Sequence, residues 1–196
     1  MMDRQAVAQL LSAIRDRIQD PTRATEGAEL IRPHLYPSPS NYIIDAAEQA
    51  LQFSLPSFLR RLYTEVGNGG YGPGYGLVGV AGGATDNGLT IVDLYYAFRT
   101  PQPDDAAWLW PNYLLPICHL GCGMFACIDC LTDDGAIVWY EPNPRERGEP
   151  LQRFLIPVAP SITAWFAAWV REEDWYTTAY DDSELKKWND ANSRSY

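Results

Sequence analysis

No lysine precedes Lys186 in this chain, and histidine occurs only as His34 and His119. That scarcity removes parts that several chemistries need. A Walker-type phosphate cradle requires a lysine after its glycines to reach the terminal phosphates. Nucleic acid requires clustered basic side chains to displace counterions. With 15 basic against 25 acidic residues and a formal net charge of −10, neither nucleic acid nor an anionic membrane is the expected partner. Long apolar runs are also missing: no window approaches the roughly 18 consecutive apolar residues of a membrane-spanning helix. The N-terminus, Met1-Met2-Asp3-Arg4 with further charges at Arg15, Asp16 and Arg17, lacks the apolar core and cleavage site of a secretory signal. A cytoplasmic location is therefore expected. Cysteine is confined to Cys118, Cys122, Cys127 and Cys130. A secreted disulfide scaffold would be smaller and would spread its cysteines to staple distant segments.

What is present is core material. Hydrophobic residues make up 46% of the 196 positions and include seven tryptophans, enough for one domain of ordinary size. Val7, Leu10, Leu11, Ile14 and Ile18 form one apolar stripe on a first helix, which Pro21 stops. Residues 21–40, with Pro33, Pro37 and Pro39, read as a linker, so residues 1–40 are expected as an appendage of helix and linker. Ile43, Ile44, Ala47, Ala50 and Leu51 predict a second helix. A third is predicted over Leu55–Val66, with Ser54 as N-cap and Pro56 in its first turn.

The glycine-rich run Asn68-Gly69-Gly70-Tyr71-Gly72-Pro73-Gly74-Tyr75-Gly76 ends that helix. It leads into a strand predicted at Gly76–Val80. In a dinucleotide fold the glycines stand between a strand and the following helix. Here the order is reversed, and a structural corner is the better reading. Residues 90–99 predict a short helix and residues 100–112 an irregular segment. Strands are predicted at Leu114–Cys118, Met124–Leu131, Ala136–Tyr140 and Phe154–Val158. The turn Thr132-Asp133-Asp134-Gly135 joins the second of these to the third. Pro160-Ser161 opens a last helix with Ile162, Trp165, Phe166, Trp169 and Val170 on one face. Its end is acidic (Glu172, Glu173, Asp174), an arrangement that opposes the helix dipole and is expected to face solvent or a partner. The expected architecture is α+β: a central bent antiparallel sheet flanked by helices. The domain is expected over residues 41–175, with an acidic tail at 176–196.

The cysteine cluster invites a zinc site, because Cys-x-x-Cys is common among structural zinc ligands. Cys127-Ile128-Asp129-Cys130, however, lies in a strand-like run, where alternation directs Cys127 and Cys130 to opposite faces. Buried free thiols acting as small hydrophobes are the preferred reading. No metal or other cofactor is expected. A Cys/His nucleophile pair lacks an orienting third group for either imidazole. Neither a Gly-x-Ser-x-Gly elbow nor a His-Glu-x-x-His helix occurs, so no catalytic residue is assigned and no enzyme is expected. Aromatics mixed with carboxylates on loops are the stronger signal, since tyrosine and tryptophan are enriched at binding hot spots. Tyr71 and Tyr75 at the tip of the glycine stretch, Asp86 in the loop that follows, and Asp104, Asp105 and Trp108 in the irregular segment are the candidate partner-binding residues. For Trp108, and for Trp110 beside it, covering the core fits at least as well.

The order of motifs resembles a known family. Leu55-Pro56-Ser57-Phe58-Leu59-Arg60-Arg61-Leu62-Tyr63, Asn68-Gly69-Gly70, Trp110-Pro111 with Leu114-Leu115-Pro116-Ile117, Gly121-Cys122-Gly123, Cys127-Ile128-Asp129 and Ala159-Pro160-Ser161-Ile162 with Trp165 occur in this sequence. Together they look like the SUKH superfamily, also called the Smi/Knr family, over roughly residues 40 to 172. The resemblance implies an α+β fold in which the Leu-Pro helix and the Asn-Gly-Gly turn are scaffold and the Gly-Cys-Gly and Cys-x-Asp run is a core strand. It also implies a partner: bacterial members are mostly immunity proteins that bind a toxin encoded beside them, often a nuclease. Fungal relatives are regulatory scaffolds. The leading expectation is a non-enzymatic immunity protein that covers the active cleft of a basic protein toxin. A regulatory scaffold, or a zinc- or thiol-dependent activity around Cys118–Cys130, is the alternative.

Overall fold

A computed structural model describes residues 4–20 and 35–173. The acidic tail, His34, Asp174 and linker residues 21–34 lie outside the described residues. Five helices surround one antiparallel sheet of strand order β1-β2-β3-β4. The strands are β1 (Leu114–Gly121), β2 (Met124–Asp129), β3 (Ile137–Tyr140) and β4 (Leu155–Ala159). The α+β expectation holds, and each predicted strand from Leu114 onward is found within a few residues. Gly135 takes φ +60° in the β2–β3 turn and donates its N–H to the Thr132 carbonyl at 3.2 Å, as an Asp-Gly turn requires.

Two prolines fit this sheet without loss. Pro116 stands opposite Cys127 and Pro157 opposite Val138. The neighbouring exchanges, Cys130 N–H to Tyr113 and Glu141 N–H to Phe154, put both prolines at positions that do not bond across the pair. Each ring nitrogen therefore faces away from the ladder, where proline is tolerated on an edge strand. Register shifts after Pro116 and after His119 interrupt the β1–β2 pairing, irregularities of the kind that bend a sheet.

Helix α1 (Arg4–Gln19) is not set apart from the domain. Leu10, Leu11 and Ile14 enter the common core, and the buried Arg17 guanidinium lies 4.4 Å over the Trp169 ring. Arg17 also donates to the Trp169 carbonyl at 2.5 Å, in the last turn of α5 (Ile162–Arg171). A cation there complements the dipole. The acidic end of α5 is further balanced where Glu173 accepts from Arg171 at 2.6 and 2.7 Å. Helix α2 (Asn41–Leu51) buries Ile44, Ala47 and Leu51, and α4 (Ile91–Arg99) starts on a Thr90–Asp93 capping box.

The third helix differs from expectation. The α-helical part, α3, covers only Ser57–Arg61, with Pro56 and not Ser54 at the N-cap. Ser57 donates its N–H and Oγ–H to the two oxygens of Asp133, each at 2.7 Å. The β2–β3 turn therefore caps this helix from a distance. Leu62–Val66 then widens into a π-turn. The Leu62 carbonyl accepts from both the Gly67 N–H at 3.1 Å and the Tyr71 hydroxyl at 2.8 Å.

The strand predicted at Gly76–Val80 is reduced to one bridge, Leu77 to Cys118. The segment runs beside β1, with Val78 N–H on Ile117 at 2.8 Å and Tyr75 N–H on His119 at 3.0 Å. Its far end is claimed by other partners. The buried Asn68 accepts from the Val80 N–H at 2.9 Å and donates to the Ala81 carbonyl at 3.2 Å, and the Gly79 carbonyl accepts from Ile91. No regular ladder survives that competition.

Candidate functional site

The candidate residues fall into three places. Tyr71 is in the core, only 1% exposed, with its hydroxyl on the Leu62 carbonyl at 2.8 Å. Its expected display at the tip of the glycine stretch is corrected: the turn folds Tyr71 inward and Tyr75 outward. Burial raises the Tyr71 phenol well above its ordinary value. Tyr75 remains 40% exposed.

Tyr75 and Asp86 come together through His119. The His119 ring sits edge-to-face with Tyr75 at 5.3 Å and stacks on Phe125 at 4.8 Å. His119 Nδ1 lies 3.2 Å from Asp86 Oδ1. The expectation that nothing orients an imidazole is thus overturned for His119. A shallow groove of about 240 Å³ runs along Tyr36, Gly70, Tyr75, Gly76, Thr85 and Asp86.

Asp104, Asp105 and Trp108 line a second, open groove of about 420 Å³, together with Gln102, Arg145 and Arg147. Asp105 is a brace more than a display. Its carboxylate lies 2.7 Å from Arg145 and also accepts from the N–H groups of Ala107 and Gly148, each at 3.2 Å. The hydrogen bond from Arg145 is the main reason the Asp105 carboxyl is held below the usual carboxylate range. Arg145 also donates to the Glu149 carbonyl at 2.9 Å and lies 5.4 Å over the Trp108 ring. Asp104 and Arg147 are the exposed members, 79% and 71% accessible and 3.8 Å apart, a spacing worth little in water. The segment is therefore of mixed charge: Arg145 and Arg147 answer the aspartates that looked unpaired in sequence. The run Pro144-Arg145-Glu146-Arg147 was the signal, but nothing local ties it to residues 102–108. Trp108 is half-buried and donates its indole N–H to the Phe98 carbonyl at 2.7 Å, whereas Trp110 is core, bonded to the Leu114 carbonyl at 2.8 Å.

The two grooves share one end of the sheet. His119 pairs with Phe125 and Phe125 with Tyr140 across the strands. Phe98 then packs on Phe125 at 5.1 Å, on Tyr140 at 5.6 Å and on Trp108 at 6.3 Å. A continuous layer of rings runs from Tyr75 to Trp108.

Two of the thiols, Cys118 and Cys127, are buried. Cys118 Sγ is directed at the Pro73 carbonyl, 2.8 Å away, and burial pushes its thiol up to about 12. Burial likewise pushes up Cys127 and Cys130. Cys127 is fully buried in β2, and Cys130 lies half-buried just past its end. Cys122 departs from both the buried-thiol reading and the core-strand expectation for Gly121-Cys122-Gly123: it is exposed at the β1–β2 tip with φ +50°, and only the Cys127-Ile128-Asp129 run is core strand. Among the described residues no three His, Cys, Asp or Glu side chains converge as metal ligands. No described helix is long and apolar enough to cross a membrane.

Comparison with curated proteins returned no match. The family comparison did: the model of the SMI1 / KNR4 family (SUKH-1) matches residues 39–168, from the start of α2 into α5. That span holds the sheet, the Asn68 corner and, Tyr36 apart, both grooves, so the chain belongs to the SMI1 / KNR4 family (SUKH-1).

Proposed function

We propose that this chain is an immunity protein, which neutralises a cognate basic toxin by binding it directly and without chemistry of its own. Membership of the SMI1 / KNR4 family over residues 39–168 is the observation that carries the reading, because immunity is the role that the resemblance implies for bacterial members. The charge of −10 agrees with it. A surface of one sign steers a cationic partner and speeds its association.

Tyr75, Asp86, Asp104 and Trp108 are the proposed contacts; Asp105 acts through the loop it braces, and the buried Tyr71 is given no part in binding. The Asp86–His119 pair resembles half of a catalytic arrangement. The adjacent Cys118 thiol is turned away to Pro73 and kept protonated by burial, so a binding role fits these residues better. Co-expression with the product of the adjacent gene tests the proposal. Relief of growth inhibition, with a complex that co-purifies, is the expected outcome. Persisting inhibition with no complex contradicts it.

A further inference from the structure

The exposed thiol at Cys122 stands between the two grooves. A Cβ built on Gly121 would lie 3.1 Å from the Tyr75 hydroxyl, and one built on Gly123 would lie 3.4 Å from Pro142. The Pro142 carbonyl in turn accepts from the Arg145 N–H at 3.0 Å, and Arg145 covers Trp108. Tyr75, the hairpin tip, the Pro142–Arg145 turn and Trp108 are therefore successive parts of a single surface. Gly121 and Gly123 both have positive φ, +94° and +78°, so the tip stays low and carries no side chain but that of Cys122 between its flanks.

Two buried polar atoms near this surface lack a hydrogen-bond partner among the described residues: His119 Nε2 and Arg145 Nε. The Arg145 side chain is only 8% exposed. Such atoms call for an explanation in a native structure. His119 Nδ1 faces the Asp86 carboxylate, and Arg145 Nε can only donate. The charge here leans negative: Asp104 and Arg147 offset one another, Arg145 is taken by Asp105, and the exposed Glu146 and half-buried Glu141 have no basic side chain against them among the ion pairs of the described residues.

We propose that the β1–β2 tip, flanked by Tyr75 and Trp108, is the docking surface for a lysine- or arginine-bearing segment of a protein, laid across Cys122. The proposal rests on the toxin-binding reading and adds to it the place and the polarity of the contact. Two aromatic anchors around a low, glycine-flanked tip match the arrangement of a binding hot spot. The exposed carboxylates set the sign of the partner.

Cys122 provides the test, because Cys118 and Cys127 are buried. The full chain is reacted with a maleimide-linked polyethylene glycol, and binding of a catalytically inactivated product of the adjacent gene is measured before and after. Modification at Cys122 is expected to weaken binding about tenfold or more, the scale of a hot-spot loss. Binding by a Cys122→Ser variant is expected to be insensitive to the reagent. Tyr75→Ala is expected to weaken binding by a similar factor with an unchanged melting temperature, and Tyr42→Ser, at an 81% exposed site on α2, is expected to leave binding intact. Undiminished binding after verified modification of Cys122 overturns this surface while leaving the toxin-binding reading standing. Failure of the unmodified chain to bind overturns that reading and this surface with it.

Discussion

Asn68 holds the corner between the third helix and the sheet. With its side chain on Val80 and Ala81, and its own carbonyl accepting from the Ala84 N–H at 2.9 Å, it closes a loop that has no ladder. Gly79 and Gly83 are the neighbours that make this possible: a Cβ at either would come within 2.4 Å of Asn68 atoms. Asn68→Ala leaves the Val80 N–H and the Ala81 carbonyl without these bonds. It is expected to cost about 2–4 kcal/mol, read as a lower denaturation midpoint at constant slope. The two tyrosines of the glycine stretch separate stability from binding. Tyr71→Phe removes the hydroxyl from the Leu62 carbonyl and is expected to cost about 1–2 kcal/mol with binding intact. Tyr75→Ala is expected to do the reverse. Sequence could not distinguish them, because both sit among glycines in a turn and only the distant Leu62 carbonyl decides which one folds inward. Asp105 gives a pH signature. Its carboxyl is depressed by Arg145, so the folded state binds its proton more weakly than the unfolded chain does. The stability it contributes is present above the unfolded value, about 3.9 for aspartate, and is lost as pH falls through the lower folded value. Asp105→Asn is expected to flatten the acid limb of a stability–pH profile and leave its neutral-to-alkaline limb parallel to that of the unmodified chain.

At the scale of elements, periodicity carried most of the fold. The stripes of α1, α2, α4 and α5 and the alternation with an Asp-Gly turn in β2–β3 report contacts a few residues apart, and these were legible. What was not legible is held by distant partners. The start of α3 is set by Asp133, 76 positions away. Its π-turn is set by Tyr71 and the core that Leu62, Tyr63 and Val66 must reach. The lost strand at Gly76–Val80 is set by Asn68 and Ile91. The candidate site was half legible for the same reason. Its aromatics and aspartates were visible, but His119, Cys122 and Arg145 join it only through strand register and loop packing. Asp133→Ala removes a carboxylate cap and is expected to cost about 1 kcal/mol, close to the loss of an N-cap side chain, measured by thermal or chemical unfolding. Helix α1 is part of the same cooperative core. Ile14→Ala, at a fully buried position, is expected to cost about 2–5 kcal/mol in a single transition. Separate melting of α1 ahead of the domain is the outcome that contradicts this.

Over the whole molecule, the acidic composition is partly cancelled from within. Arg60 bonds both Asp45 and Glu48 at 2.6 Å, Arg61 holds Glu65, Arg153 holds Glu149 and Arg171 holds Glu173. These largely exposed pairs add little stability. The net charge of −10 acts on encounter more than on the bound state. The association rate with a basic partner is therefore expected to fall steeply as salt shortens the screening length, with a smaller change in dissociation rate. The most direct measurement is calorimetric titration of the full chain with the inactivated product of the adjacent gene at two salt concentrations. Saturable binding that weakens at the higher salt is the result this account predicts. Absence of heat and of complex at both concentrations contradicts it.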